Sequence, residues 1–298
     1  MANGVLPETE RKWKETARKY KVKNQSLRMN LKLHSASRVS YKQFLLFRTI
    51  LPSIIRPRQL NNQTLGIAPR MTLARQLLGR AAFRDYISDL TTRQSQGAAW
   101  AGNYRLFRIP AIQQQQVIRN GLRDEGSEAS VNTAIVSFLQ AIADLFPQSG
   151  RQWTADRIKL TADFGTVSRK RQFVAYTDGQ LVDTSSREIV ALIECKRFRR
   201  AHHSPAVDMQ EVAQMVAWVK EHPVIPGNGK RVLVSQDGTE IYISVFQYDQ
   251  GWLRYLEGGR GCIVNAGFAY MHRYGPWNIR RAAQMKHFAE IILALLFL

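Results

Sequence analysis

The run "REIVALIECK", residues 187–196, constrains this chain more than any other stretch. Side chains alternate along a strand, so Val190, Leu192, Glu194 and Lys196 share one face while Ile189, Ala191, Ile193 and Cys195 take the other. Both faces stay apolar until the strand nears its end, which suits a central strand covered on both sides. Two charges at that end are costly unless they pair or hold a metal. A bare Glu-x-Lys is most simply a structural ion pair, so the spacing decides nothing by itself.

The elements around this strand supply a context. "SEASVNTAIVSFLQAIADLF" predicts a helix with Ser130 as a possible N-cap, since Val131, Ile135, Phe138, Leu139 and Ile142 recur at helical spacing. Three strands are expected next, over 156–164, 171–179 and 187–196, followed by a helix from about Val207 to Lys220. "RVLVSQ", the turn Asp237-Gly238 and "TEIYISVFQY" read as a hairpin, and a last helix is expected over roughly 279–297. The third strand, its crossover helix and "RVLVSQ" form a βαβ unit whose strands should be parallel. The fold class expected is α/β with a mixed sheet.

Charge divides the chain unevenly. Of the net +20 over 298 residues, residues 1–120 hold 22 Lys/Arg against 5 Asp/Glu, and residues 121–298 hold 21 against 18. The expected organisation is therefore a basic extension, 1–120, partly helical or disordered, before a domain over 121–298. In it, 1–40 should be a flexible arm or short helices. Such a segment points to a polyanion, nucleic acid or an anionic membrane, although a solvated arm serving solubility or nuclear import has the same composition. Cys195 and Cys262 are too few for a disulfide scaffold or a four-cysteine zinc site. No apolar leader opens the chain and "IILALLFL" is too short to span a bilayer, so a membrane partner is not expected. The chain reads as intracellular, nuclear or cytoplasmic.

A second acid gives the Glu-x-Lys its interest. If the last two of the three expected strands form an antiparallel hairpin centred near Ser186, paired residue numbers sum to 372 and Asp178 falls opposite Glu194 on one face. A one-residue slip would turn Asp178 away. Two carboxylates so placed repel, and hard oxygen ligands of this kind suit magnesium or manganese. Lys196 beside them can orient or deprotonate water, or neutralise charge on a phosphate. Asp178 before Gly179 is also a favoured turn pair, and Asp163 is an alternative first acid.

These strands and spacings resemble the PD-(D/E)XK, or restriction-endonuclease-like, superfamily, whose core runs αβββαβ with Asp before one strand and Glu-x-Lys on the next. "VAYTDGQL", "ALIECK", "MQEVAQMVAW" and "YGPWNI", in this order, look like a group of fungal PD-(D/E)XK nuclease-like proteins, over about residues 125–285. The resemblance implies Asp178 and Glu194 as metal ligands, Lys196 as the catalytic lysine, and Mg2+ or Mn2+ with no small-molecule cofactor. It points to Gln210 on the following helix, with Glu211 and Gln214 as further candidates. On the first helix it points to Glu128, with Glu125 a competitor. Thr177 stands where the family's proline would be, a common variation.

Arg197, Arg199 and Arg200, then His202 and His203, follow the strand directly and could hold phosphates beside a scissile bond, or form a solvated basic loop. The leading expectation is a metal-dependent nuclease hydrolysing phosphodiester bonds in DNA. Two alternatives stand beside it: an inactive nucleic-acid-binding protein that keeps the fold, and a basic protein-interaction module. Nothing resembles a base-reading element, and the oligomeric state is open.

Overall fold

A computed structural model describes residues 5–29, 32–96, 105–123, 126–165, 170–223, 229–258, 263 and 266–297, and the counts below are of these residues. Nine strands are present: β1 (Thr49–Ile50), β2 (Arg151–Thr154), β3 (Lys159–Asp163), β4 (Gln172–Tyr176), β5 (Gly179–Asp183), β6 (Ile189–Lys196), β7 (Lys230–Asp237), β8 (Glu240–Gln247) and β9 (Ala269–Asn278). Ten α-helices accompany them: α1 (Glu10–Lys19), α2 (Tyr41–Leu46), α3 (Asn62–Leu65), α4 (Met71–Leu78), α5 (Ala81–Gln96), α6 (Arg108–Arg123), α7 (Glu128–Ala143), α8 (Ala206–Glu221), α9 (Gln250–Glu257) and α10 (Ala282–Leu295).

Seven strands make one mixed sheet in the order β1-β9-β8-β7-β6-β5-β2. β6 lies inside the sheet, parallel to β7 and antiparallel to β5, and its two apolar faces are both covered. Ala191, Ile193 and Cys195 enter one core with α7 and α10, while Leu192 enters a second core with α8. The β7–β8 hairpin forms with a loop of Gly238 and Thr239, one residue later than the turn expected, because Asp237 still pairs with Glu240. The α7 cap also shifts: Ser127, not Ser130, is the N-cap, and its hydroxyl accepts the Ser130 N–H at 3.1 Å.

The expected strand 171–179 breaks at Thr177. β4 pairs with β3 in a separate two-stranded sheet, and the chain then re-enters the main sheet as β5. Gly179 permits that re-entry: a Cβ there would stand 2.4 Å from the Thr154 carbonyl oxygen of β2, so only glycine admits the neighbouring backbone. The pair Asp178-Gly179 is thus a strand entry rather than a turn.

The basic N-terminal third is not set apart from the rest. Trp13 and Ala17 of α1 and the run Phe44–Phe47 are buried in the second core with α8 and α9. Trp13 donates its indole N–H to the Leu45 carbonyl at 3.0 Å, and Trp252 donates to that of Phe47 at 2.8 Å. β1 pairs parallel with β9. Phe83, Tyr86 and Phe107 pack with Phe138 of α7 in the first core. Of the two readings for 1–40 the short helix is found, as α1, and the partly helical reading of 1–120 holds with it; these helices pack into the same two cores as the rest of the described chain. Among the described residues no helix is long and apolar enough to cross a membrane.

Candidate active site

Paired residues in β5 and β6 sum to 372 from Gly179↔Ile193 to Leu181↔Ala191, the register expected, and a bulge shifts it only beyond Leu181. Asp178 sits just before β5, where the chain forks between the two sheets. Its N–H donates to the Ile193 carbonyl at 2.9 Å, and its Oδ2 accepts the Cys195 N–H at 2.9 Å. The carboxylate takes the place of a backbone acceptor that the departing strand no longer offers. Asn132 of α7 donates to the Asp178 carbonyl oxygen at 2.9 Å, and Arg157 Nε lies 3.9 Å from Oδ1.

Glu194, 1% exposed, points to the α8 side. Its Oε1 accepts from Lys196 Nζ at 2.6 Å and Gln210 Nε2 at 2.5 Å, and Oε2 accepts from Gln214 Nε2 at 2.5 Å. Gln210 therefore faces the site, as its place off the apolar stripe of α8 suggests. Lys196 Nζ also lies 3.5 Å from Oε1 of Glu128, the half-exposed first residue of α7. Glu125 and Cys262 lie outside the described residues, and Asp163 ends β3 in the other sheet.

Burial pushes the Glu194 carboxyl up to about 8; Lys196 pulls it down and the Asp178 charge pushes it further up. Burial likewise raises Asp178, against the Cys195 N–H. Burial disfavours the Lys196 ammonium, but Glu194 beside it outweighs this and raises its pKa. Lys196 is a cation held among carboxylates.

Arg200 departs from expectation. It is 3% exposed and cannot touch a phosphate. Its guanidinium meets Asp237 at 2.7 Å, Asp208 at 3.0 Å, Ser235 at 2.9 Å and both oxygens of Glu211, and Arg273 reaches Asp208 at 2.6 Å. Glu211, a candidate for the site by sequence, belongs to this network. Two arginines against three carboxylates leave one surplus negative charge, and burial pushes Asp237 up to about 7. The sequence signal is in Asp208 and Glu211, two acids at i,i+3 spacing in the first half of a helix rich in apolar residues. Arg197 is half-buried with its guanidinium 4.4 Å over the Phe198 ring, and Arg199 is exposed.

Beside the four-residue centre lies a cleft of about 280 Å3 between the α6–α7 corner, the end of β6 and the β7–β8 loop. Arg197, Arg199, His202 and Arg280 line it. Among the described residues no group of three or more His, Cys, Asp or Glu side chains could hold a metal. The donors at hand are two carboxylates, and each keeps lone pairs after the hydrogen bonds above. Magnesium is commonly bound by one or two carboxylates with water and substrate phosphate completing its shell, so the donor set fits that ion. No family model and no curated protein matches this chain.

Proposed function

We propose that the protein is a metal-dependent nuclease of the PD-(D/E)XK type that hydrolyses phosphodiester bonds in DNA inside the cell. The observation that carries this reading is the meeting of Lys196 and Gln210 on one oxygen of Glu194, in the register that brings Asp178 to the same strand end. Leaving β3 and β4 aside, the run α7, β2, β5, β6, α8, β7 has the αβββαβ order of restriction-endonuclease-like proteins.

Asp178 and Glu194 would hold Mg2+ or Mn2+, with Glu128 near enough to Lys196 to join them through water. The metal, when bound, would supply a water nucleophile and neutralise phosphate charge. The protein's own part is electrostatic. Lys196, kept protonated by its carboxylate neighbours, is suited to stabilising charge on the phosphate rather than to taking a proton from water. Gln210 and Gln214 fix the Glu194 carboxylate, and Asn132 and the Cys195 N–H fix Asp178. Arg197 and Arg199 are placed to contact flanking phosphates; Arg200 is not.

The test is cleavage of linear and supercoiled DNA with Mg2+ or Mn2+, wild type against Lys196→Ala. Metal-dependent cleavage abolished in the variant is the expected result. A wild type that binds DNA but cleaves no nucleic acid with any divalent metal would move the assignment to a binding protein that keeps this fold.

A further inference from the structure

Tyr176 is set apart by its position. It is 51% exposed, and among the described residues no other Trp, Tyr or Phe is as exposed. The alternation of β4 sends Phe173 and Ala175 into the second core, so Tyr176 takes the solvent face. Its carbonyl oxygen accepts from Gln214 Nε2 at 2.8 Å, and the same amide holds Oε2 of Glu194 at 2.5 Å. One buried side chain thus ties the tyrosine to the proposed centre. A second tie comes from Arg157, whose Nε lies 3.9 Å from Asp178 Oδ1 and whose guanidinium carbon lies 5.8 Å from the centre of the Tyr176 ring. Lys159 pairs with Tyr176 across β3 and β4, shares its face, and is exposed. An open ring flanked by two cations therefore lies beside the two carboxylates.

Such a ring and such cations suit a base and its phosphates. Stacking accepts any base, because every base has a π-face, and cations follow the backbone. A base inside a duplex has neighbours stacked on both faces and presents only its edges in the grooves, so a base on Tyr176 must be unpaired. At 5.8 Å Arg157 stands near the outer limit of a cation–π contact, and its hold on Asp178 is at the edge of ion-pair range. With its side chain 67% exposed, it can turn to a phosphate without giving up a strong bond. The solvent face of the β3–β4 ribbon is a surface, not a pocket, so a strand need not end there. We infer that Tyr176 is a stacking platform for an unpaired base next to the phosphate at the Asp178–Glu194 centre, with Arg157 and Lys159 on adjoining phosphates, so that the substrate is single-stranded DNA. The inference rests on the nuclease reading for the identity of the polymer and adds its strandedness, but stacking needs no cleavage.

The test therefore uses full-length protein without divalent metal, titrated into an oligothymidylate carrying one 2-aminopurine, alone and annealed to its complement. Fluorescence anisotropy reads affinity, and quenching of the 2-aminopurine reads stacking on an aromatic ring. The single strand should bind more tightly than the duplex and be quenched on binding. Tyr176→Phe keeps the ring and should behave as wild type. Tyr176→Thr keeps a β-former on the solvent face, so the strand should persist, but it should lose the quenching and weaken single-strand binding about tenfold. Lys159→Ala should flatten the salt dependence by roughly 0.7 in the log–log slope for each single-strand phosphate no longer neutralised. Equal affinity for single strand and duplex, unaltered quenching in Tyr176→Thr, or an unaltered slope in Lys159→Ala would each overturn the platform. If wild type still cleaved DNA with Mg2+ or Mn2+, the nuclease reading would survive that result. Stacking as expected in a protein that never cleaves would leave the platform assigned and remove the catalytic reading alone.

Discussion

Asp178 Oδ2 accepts the backbone N–H of Cys195 at 2.9 Å, so a side chain completes the ladder at the point where the strand leaves the sheet. The bond fixes one carboxylate oxygen and leaves Oδ1 near Arg157. Asp178→Asn keeps the shape but not the charge. Its stability should change little, and divalent metal should no longer stabilise it. Differential scanning fluorimetry reads this directly: Mn2+ at about 100 times its Kd would stabilise wild type by about 2.7 kcal/mol and leave the variant's Tm unmoved.

Gln214 is fully buried and bridges Glu194 and the Tyr176 carbonyl, whereas Gln210 is half-buried and bonds Glu194. Gln214→Leu should cost about 1–3 kcal/mol by leaving buried acceptors unpaired. Gln210→Ala should cost less in stability, yet lower metal-dependent cleavage as Glu194 loses one of its two holds on α8. Urea unfolding and cleavage rates, measured on both variants, separate these effects.

Arg200 and Arg199 are neighbours with opposite expected phenotypes. Removing Arg200 leaves the buried Glu211 and Asp237 without their cation, while Asp208 keeps Arg273, so Arg200→Ala should destabilise by about 3–5 kcal/mol. Arg199→Ala should leave stability nearly unchanged while weakening DNA binding. Its salt dependence should also flatten, by roughly 0.9 in the log–log slope for each duplex phosphate no longer neutralised. Equal loss of stability in the two variants would contradict the burial described.

The pH dependence has a definite sign. Glu194 titrates near 4.5 when exposed and about 8 in the folded, metal-free protein, so the folded state keeps a proton that the unfolded state releases. Stability of the metal-free protein should then fall as pH rises between those values. Asp237 acts in the same direction up to about 7. Denaturant midpoints at pH 5.5 and 8.5 should differ less in Glu194→Gln than in wild type, and the remaining slope should diminish in Asp237→Asn.

Much of the site is legible in the sequence because it depends on local pairing. A turn centred near Ser186 and strict alternation in β6 are enough to place Asp178 against Glu194, and the gap Gln210 leaves in the apolar stripe of α8 shows which way it faces. The break at Thr177 is not legible, since "RQFVAYTDGQLVD" alternates as one strand would; the divergence is set by Gly179 meeting β2, a strand with no clear signal of its own. Arg200 misleads because a run of basic residues looks solvated until the acids that neutralise it, 8, 11 and 37 positions away, are brought under it. Trp13 misleads for a related reason. α1 carries few apolar residues, and the partners that bury Trp13 come from Leu45 and Phe268.

Trp13→Ala should cost about 3–5 kcal/mol, a core penalty in a segment whose composition suggests a tail. Deleting residues 1–40 should yield insoluble or unfolded protein. A folded deletion product with native circular dichroism would show that α1 is dispensable.

The pairing of β1 with β9 also sets a timetable for synthesis. Thr49 and Ile50 leave the ribosome 220 residues ahead of Ala269 and Tyr270, their partners. At about 5–20 residues per second, that interval is roughly 11–44 s. Until it ends, a cationic segment bearing Trp13 and Phe44–Phe47 has no sheet edge to join, and its greasy side chains are open to other nascent chains and to RNA. The protein is therefore one whose yield should depend on chaperone capacity and on how quickly its last third is translated.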